Sequence, residues 1–270
     1  MRRVLCAVVA LIYAGLATQA SAAEGVLVDT NGDGQIEVLA FGDSITYGVG
    51  DGSKPGDFVP DIVSSGSPRG YPMRLSTLLG LPVYNAGVPG EQLSGSGSIG
   101  SGIERFPKLV VGSSVDVVII MEGANDAQYL VSTRTLSSNL QRAINVARAE
   151  GKKIVLATIT PPTGSRAQFG GFTAAYSNAI RSVAANNLLP LADVEATFHQ
   201  ACPQLETCSL YNLPEGLHPN TVGYDAISET MAVALGGNLG RVRLPTTETS
   251  LALGACWRGH SMENTSCALI

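Results

Sequence analysis

A serine, a glycine, an asparagine and a histidine stand in four separate short segments of this chain: Gly42-Asp43-Ser44-Ile45, Asn85-Ala86-Gly87, Gly123-Ala124-Asn125-Asp126 and Glu215-Gly216-Leu217-His218-Pro219. Acyl transfer needs those residue types. A serine hydroxyl is a weak nucleophile until a base takes its proton. Ser44 is the candidate nucleophile and His218 the candidate base, which would return the proton to the leaving alcohol. The chain has three histidines. His199 beside Cys202 and His260 in the tail read as surface or structural residues. A developing oxyanion needs fixed donors, and the Ser44 and Gly87 backbone N–H groups and the Asn125 amide are the candidates. Glu215 stands three residues before His218, where a carboxylate could orient the imidazole. A dyad with a backbone carbonyl in that role is the alternative. Asp43 reads as a local hydrogen-bonding residue. Each segment alone also has an ordinary reading: a helix-capping turn at Ser44, a tight turn at Gly87, turn chemistry at Asn125-Asp126, a solvated charge at Glu215. Their occurrence in one chain argues for a site.

The elements around them alternate. Apolar runs at 36–41, 82–86, 115–121, 153–158 and 188–192 predict strands, and 115–121 is continuous enough for a central parallel strand covered on both faces. Helical spacing marks 71–79, 136–147 with Gly151 as a stop, 172–183, and 221–235 with Asn220 as cap. Alternating strand and helix implies a parallel sheet with helices on both faces. Ligands bind such sheets outside the carboxyl ends of the strands. Ser44, Gly87 and Asn125 each follow a predicted strand and should gather on that edge. Loop-like segments at 48–70, 88–102 and 160–171 are placed to wall a pocket.

The ends of the chain carry different signals. Residues 1–22 have a basic start at Arg2-Arg3, an apolar stretch and the small-residue site Ala20-Ser21-Ala22. They read as a secretory signal peptide, too short for a membrane span, with cleavage after Ala22 or Ala23. This predicts a secreted, periplasmic or extracellular protein. Cys6 leaves with the signal, so Cys202, Cys208, Cys256 and Cys267 remain, an even number that reads as disulfides. The local pairs 202–208 and 256–267 are the expected ones, and the second would contribute roughly 3 kcal/mol by chain entropy. A zinc site is the weaker alternative, since no Cys-x-x-Cys spacing is present. The domain is expected over 23–240, with 241–270 a disulfide-stapled C-terminal extension. Asp29-Thr30-Asn31-Gly32-Asp33-Gly34 matches the first half of a calcium loop, but position 12 is Ala40, which excludes a full EF-hand. Asp29, Asn31 and Asp33 are thus a weak calcium candidate, and a hairpin turn between 26–28 and the first strand is the preferred reading.

The four segments together resemble the SGNH (GDSL) hydrolase family of GDSL-like lipases and acylhydrolases, over roughly 36–235. The resemblance implies a three-layer α/β/α sandwich with a flavodoxin-like parallel sheet of about five strands. It implies a serine carboxylic ester hydrolase with an acyl-enzyme on Ser44, with Ser44, Gly87 and Asn125 as oxyanion donors and no required cofactor. Family members carry aspartate where this chain has Glu215. The expected substrate is a small-molecule or carbohydrate ester. A carbohydrate O-acetyl esterase is the alternative, and a non-catalytic binding protein on the same fold a third reading. The formal charge of −5, or −7 without Arg2 and Arg3, leaves no basic patch for nucleic acid or anionic membranes. Stable membrane insertion is not expected either. Aromatics are 6% of residues with one tryptophan, so no sugar-stacking platform is evident.

Overall fold

The computed structural model describes residues 25–51, 69–95 and 100–237. The signal segment, the 241–270 extension, Cys256 and Cys267 lie outside the described residues. Five parallel strands form one sheet: β1 (Val38–Gly42), β2 (Val83–Gly87), β3 (Val117–Met121), β4 (Lys153–Ala157) and β5 (Leu191–Ala192), in the order β2-β1-β3-β4-β5. The order reverses between β1 and β3, as in flavodoxin-like sheets. β1 and β3 are buried along their whole length, which is why their sequences VLAFG and VVIIM do not alternate.

Helices fill the crossovers. They are α1 (Ser44–Tyr47), α2 (Gly70–Leu79), α3 (Gly102–Val110), α4 (Ala124–Gln128), α5 (Thr133–Ala149), α6 (Gly170–Asn186), α7 (Val194–Ala201) and α8 (Thr221–Ala234). Helices α2, α7 and α8 pack together, and α3, α5 and α6 pack together, giving the two outer layers of an α/β/α sandwich. The core joins Phe41 of β1 to Phe106 of α3 edge to face, with ring centres 5.1 Å apart. Asn220 caps α8, its Oδ1 accepting from Val222 N at 3.0 Å and Gly223 N at 3.1 Å.

Three departures from the sequence expectations have physical reasons. Helix α3 stands where a loop and then nothing was expected. Pro107 lies inside it and masks the spacing of Ile103, Phe106 and Val110, which the core buries. Helix α7 is short, and its signal is the Asp193 side chain accepting from Ala196 N at 3.2 Å. Finally, residues 26–28 form no strand, so the expected hairpin is absent. The segment docks instead on Asp116: Thr30 N and Oγ1 donate to its Oδ1 at 2.7 and 2.8 Å, and Glu37 N to its Oδ2 at 3.0 Å. The oxygens of the calcium candidate serve their own loop. Asp29 accepts from Gly32 N and Gly34 N, Asn31 from Asp33 N, and Asp33 from Gln35 N, at 2.6–2.9 Å. Among the described residues no group of three His, Cys, Asp or Glu side chains is arranged to hold a metal ion. None of their helices is long and apolar enough to cross a membrane. Cys202 and Cys208 form the expected disulfide, with Cα atoms 5.3 Å apart.

Candidate active site

The sheet register aligns the carboxyl ends of three strands, since Gly42 pairs with both Gly87 and Met121. Ser44 follows β1 by two residues and Asn125 follows β3 by four, so both leave the same edge. Ser44 is the first residue of α1. The buried Asp43 caps that helix, its Oδ1 accepting from Ile45 N at 2.9 Å. Gly42 is required by space: a Cβ there would run into Thr46 and the Met121 carbonyl. This crowding holds the start of α1 tightly against β1 and β3.

His218 arrives on the loop between α7 and α8. Tyr211 and Pro219 bridge its two arms, Asn212 N donates to His218 O at 3.1 Å, and Gly216 N donates to Asn212 O at 2.9 Å. The Asn212 amide reaches across to Gly50 O at 3.0 Å, tying this loop to the turn after α1. The result is direct: Ser44 Oγ lies 2.9 Å from His218 Nε2. That is hydrogen-bond distance between a nucleophile and its base.

Glu215 also reaches the site. Its Oε2 accepts from Leu217 N at 2.8 Å and His218 N at 2.9 Å, and its Oε1 faces His218 Nδ1 at 3.4 Å. The latter is a close approach rather than an aligned hydrogen bond. Partial burial pushes the Glu215 carboxyl up, but its contacts to His218 and Leu217 outweigh this and hold it at about 2. It therefore stands ionised beside the imidazole.

Of the three expected oxyanion donors, Ser44 and Asn125 stand at the site with amide protons to offer, and Gly87 is engaged elsewhere. Asn125 Nδ2 donates to Glu91 O at 2.8 Å, while its approach to Asp43 Oδ2 is long at 3.4 Å, leaving its second proton weakly engaged. The Ser44 N–H has no partner among the described residues. Gly87 is not so free: its N–H donates to the Asn85 side-chain oxygen at 3.0 Å. Its own lack of a side chain serves close approach instead, because a Cβ there would strike the backbone of Thr46 and Tyr47 in α1. The neighbouring turn supplies another amide. Gly90, with φ of 80°, sits between Val88, whose N–H donates to Gly42 O at 2.9 Å, and Glu91, whose carbonyl holds Asn125. The Gly90 N–H has no partner among the described residues.

A buried acidic group lies beneath these donors. Glu91 is almost fully buried and is paired by Arg105 Nε at 2.8 Å and Nη2 at 2.5 Å. Asp126 accepts from Leu93 N and Ser94 N at 2.8 and 3.0 Å, pinning the segment that leads into the Gly/Ser run. Glu122 is fully buried with neither oxygen hydrogen-bonded. Burial raises all three of Asp43, Glu122 and Asp126, and for Asp43 and Glu122 the nearby carboxylates add to it. Asp43 is pushed up to about 7 despite the Ile45 N–H and His218. Sequence reasoning passed over Glu91 and Arg105. Their only signal was an isolated acid entering a Gly/Ser-rich stretch and a lone base leaving it.

A family model described as GDSL-like lipase/acylhydrolase matches residues 40–226, and this range carries all of Ser44, Gly87, Asn125, Glu215 and His218. The chain belongs to the GDSL-like lipase/acylhydrolase family. It is a carboxylic ester hydrolase. Solved structures of this GDSL hydrolase's fold include an acetylxylan esterase from Geobacillus stearothermophilus, with 20% identity and a TM-score of 0.63 over 80% of this chain and 100% of that one. An alpha/beta hydrolase from the metagenome of Lake Arreo, Spain, has 21% identity and a TM-score of 0.62, over 79% of this chain and 99% of that one. A member of the lipolytic G-D-S-L family from Veillonella parvula has 20% identity and a TM-score of 0.56, over 77% of this chain and 100% of that one. No curated protein sequence matches the chain significantly.

Proposed function

We propose that this GDSL hydrolase is a secreted serine esterase that works through an acyl-enzyme on Ser44. The observation that carries the reading is the 2.9 Å contact between Ser44 Oγ and His218 Nε2, with ionised Glu215 facing Nδ1 of the same ring. Ser44 Oγ attacks the ester carbonyl carbon as its proton passes to Nε2. The negative charge on the carbonyl oxygen falls among the Ser44 N–H, the Asn125 amide and the Gly90 N–H, the last replacing Gly87 in this role. Collapse breaks the bond to the alcohol oxygen, which leaves with the proton from Nε2. Water then attacks the acyl-enzyme, gives its proton to Nε2, and the acid departs as Ser44 recovers its hydroxyl. Glu215 stabilises the imidazolium that forms in each half and fixes the ring orientation. Secretion rests on the basic and apolar pattern of residues 1–22, and the Cys202–Cys208 disulfide suits an oxidising compartment.

Acetyl groups on carbohydrate are a second reading of the substrate, favoured by the acetylxylan esterase among the fold neighbours. A panel of nitrophenyl esters from acetyl to long-chain, run beside acetylated xylan, separates the two. Ser44→Ala should abolish hydrolysis of every active ester, with an unchanged melting temperature, and a fluorophosphonate should label Ser44 in the wild type. Retained turnover in Ser44→Ala would sink the mechanism. Glu215→Ala should lower kcat more than KM, whereas Glu215→Asp should keep much of the activity. A loss below about tenfold in the alanine variant would instead indicate a Ser44–His218 dyad.

A further inference from the structure

We propose that Arg166 is a positioning residue for the His218 base, acting through Glu215; the inference rests on the esterase reading above. The glutamate in this chain has one more methylene, and one more torsion, than the aspartate its family carries. The extra length lets the carboxylate fold back onto its own loop, where Oε2 is committed to Leu217 N and His218 N. Oε1 is left in a tight place, itself buried and without an aligned hydrogen bond. It stands 3.4 Å from His218 Nδ1 and 3.3 Å from Arg166 Nε. The Glu215 side chain is about one-third exposed, so rotation of the carboxylate toward water is open on one side. Arg166 opposes that rotation by pairing with the same oxygen, its Nε 3.3 Å from Oε1. Its guanidinium is a planar, permanently charged donor that meets the same Oε1 as the imidazole.

Arg166 is itself held from two directions. Its Nη1 donates to Gln128 Oε1 at 3.3 Å, and Gln128 is the last residue of α4, the helix that begins with Ala124-Asn125. The backbone that carries Arg166 is clamped to the catalytic loop. Thr163 N donates to Gly216 O at 2.7 Å, Ser165 N to Pro214 O at 2.8 Å, and Ser165 Oγ to Glu215 O at 3.1 Å. Gly164 and Gly216 both have positive φ, and a Cβ on either would strike the facing backbone. Arg166 thus ties the oxyanion arm at Asn125 to the base arm at His218. It is the only charged residue in the loop-like stretch 160–171. That is the one signal the sequence offered.

The test uses the full enzyme and 4-nitrophenyl acetate. Arg166→Ala should lower kcat by about five- to tenfold and change KM by less than about twofold, because the loss falls on the imidazolium stage. Arg166→Lys keeps a cation within reach of Oε1 and should recover most of kcat. The downfield proton resonance of His218 Nδ1–H should broaden or move in Arg166→Ala and return in Arg166→Lys, a readout that a merely structural role would leave alone. In a Glu215→Gln background, removing Arg166 should cost almost nothing more, since both act through one oxygen. An unchanged kcat and resonance in Arg166→Ala would overturn the inference, as would an equal loss in both backgrounds. A wild type that hydrolyses no ester and does not label at Ser44 would mark failure of the esterase reading instead. In that case the His218 resonance would still report on Arg166.

Discussion

Gly87→Ala offers the sharpest test of how the sheet positions the nucleophile. A Cβ at this position would lie 2.7 Å from both Thr46 C and Tyr47 Cα, and closer still to Tyr47 N, where ordinary contact begins at 3.4 Å. These are backbone atoms, so no side chain can rotate away. Tyr47 N is the nearest atom and sets the shift: either β2 or α1 must move by more than about 1 Å to restore ordinary contact. β2 is fixed by its parallel pairing along β1. α1 is four residues long, and Tyr47 N is bonded to Asp43 O at 2.9 Å, so a shift of Tyr47 carries Ser44 with it. Overpacking of this kind costs about 1–3 kcal/mol, which for a domain of this size lowers Tm by roughly 3–10 °C. A displacement approaching 1 Å at the nucleophile can cost about 100-fold in rate. The assay is a melting curve paired with kcat on 4-nitrophenyl acetate. Gly171→Ala is the control: nothing lies within 4 Å of its Cβ position and its φ is not positive, so it should be neutral or slightly stabilising. Wild-type Tm in Gly87→Ala would refute the clash. A lowered Tm with wild-type kcat would show that α1 absorbs the strain without moving Ser44, refuting the coupling.

Three further outcomes follow from the charged groups around the site. Arg105→Ala strands the Glu91 carboxylate in the interior and should cost about 3–5 kcal/mol, with a fall in kcat because Glu91 O holds the Asn125 amide; urea unfolding and kinetics check both. Asp43 has its folded carboxyl raised from 3.8 to about 7, so it favours the protonated form and opposes folding increasingly as pH rises through that window. Asp43→Asn keeps the cap oxygen for Ile45 N, and its Tm relative to wild type should therefore rise between pH 4 and 7. A flat difference across that range would mean Asp43 is not the group that titrates. Glu215 has the opposite sign: its folded value of about 2 lies below 4.5, so its contribution is full above 4.5 and is lost as pH falls toward 2. Glu215→Gln should therefore be least different from wild type in acid, as a pH series of melting curves would report.

The local patterns of this chain carried much of its fold. The near-continuous apolar run at 115–121 reads as a central strand covered on both faces, because it is short and offers almost no polar side to water. Alternation with helical spacing then made the sheet parallel and put Ser44 and Asn125 beyond the same strand ends. Ser44 and His218 were legible as a pair because few residue types do this chemistry and histidine is scarce here. What the sequence could not settle is where each hydrogen bond goes. Gly87 and Gly90 are equally plain as letters. Only the structure shows one amide spent on Asn85 and the other left open, because that depends on how the 88–91 turn docks against Gly42 and Asn125. Glu215 likewise needed a tertiary partner, since whether its longer side chain meets His218 depends on an arginine 49 residues earlier, brought in by the backbone clamp at 163–165. Spacing along the chain determines which face a residue takes within its own element. Which groups meet across elements is decided by packing, and the site of this esterase is assembled across four of its loops.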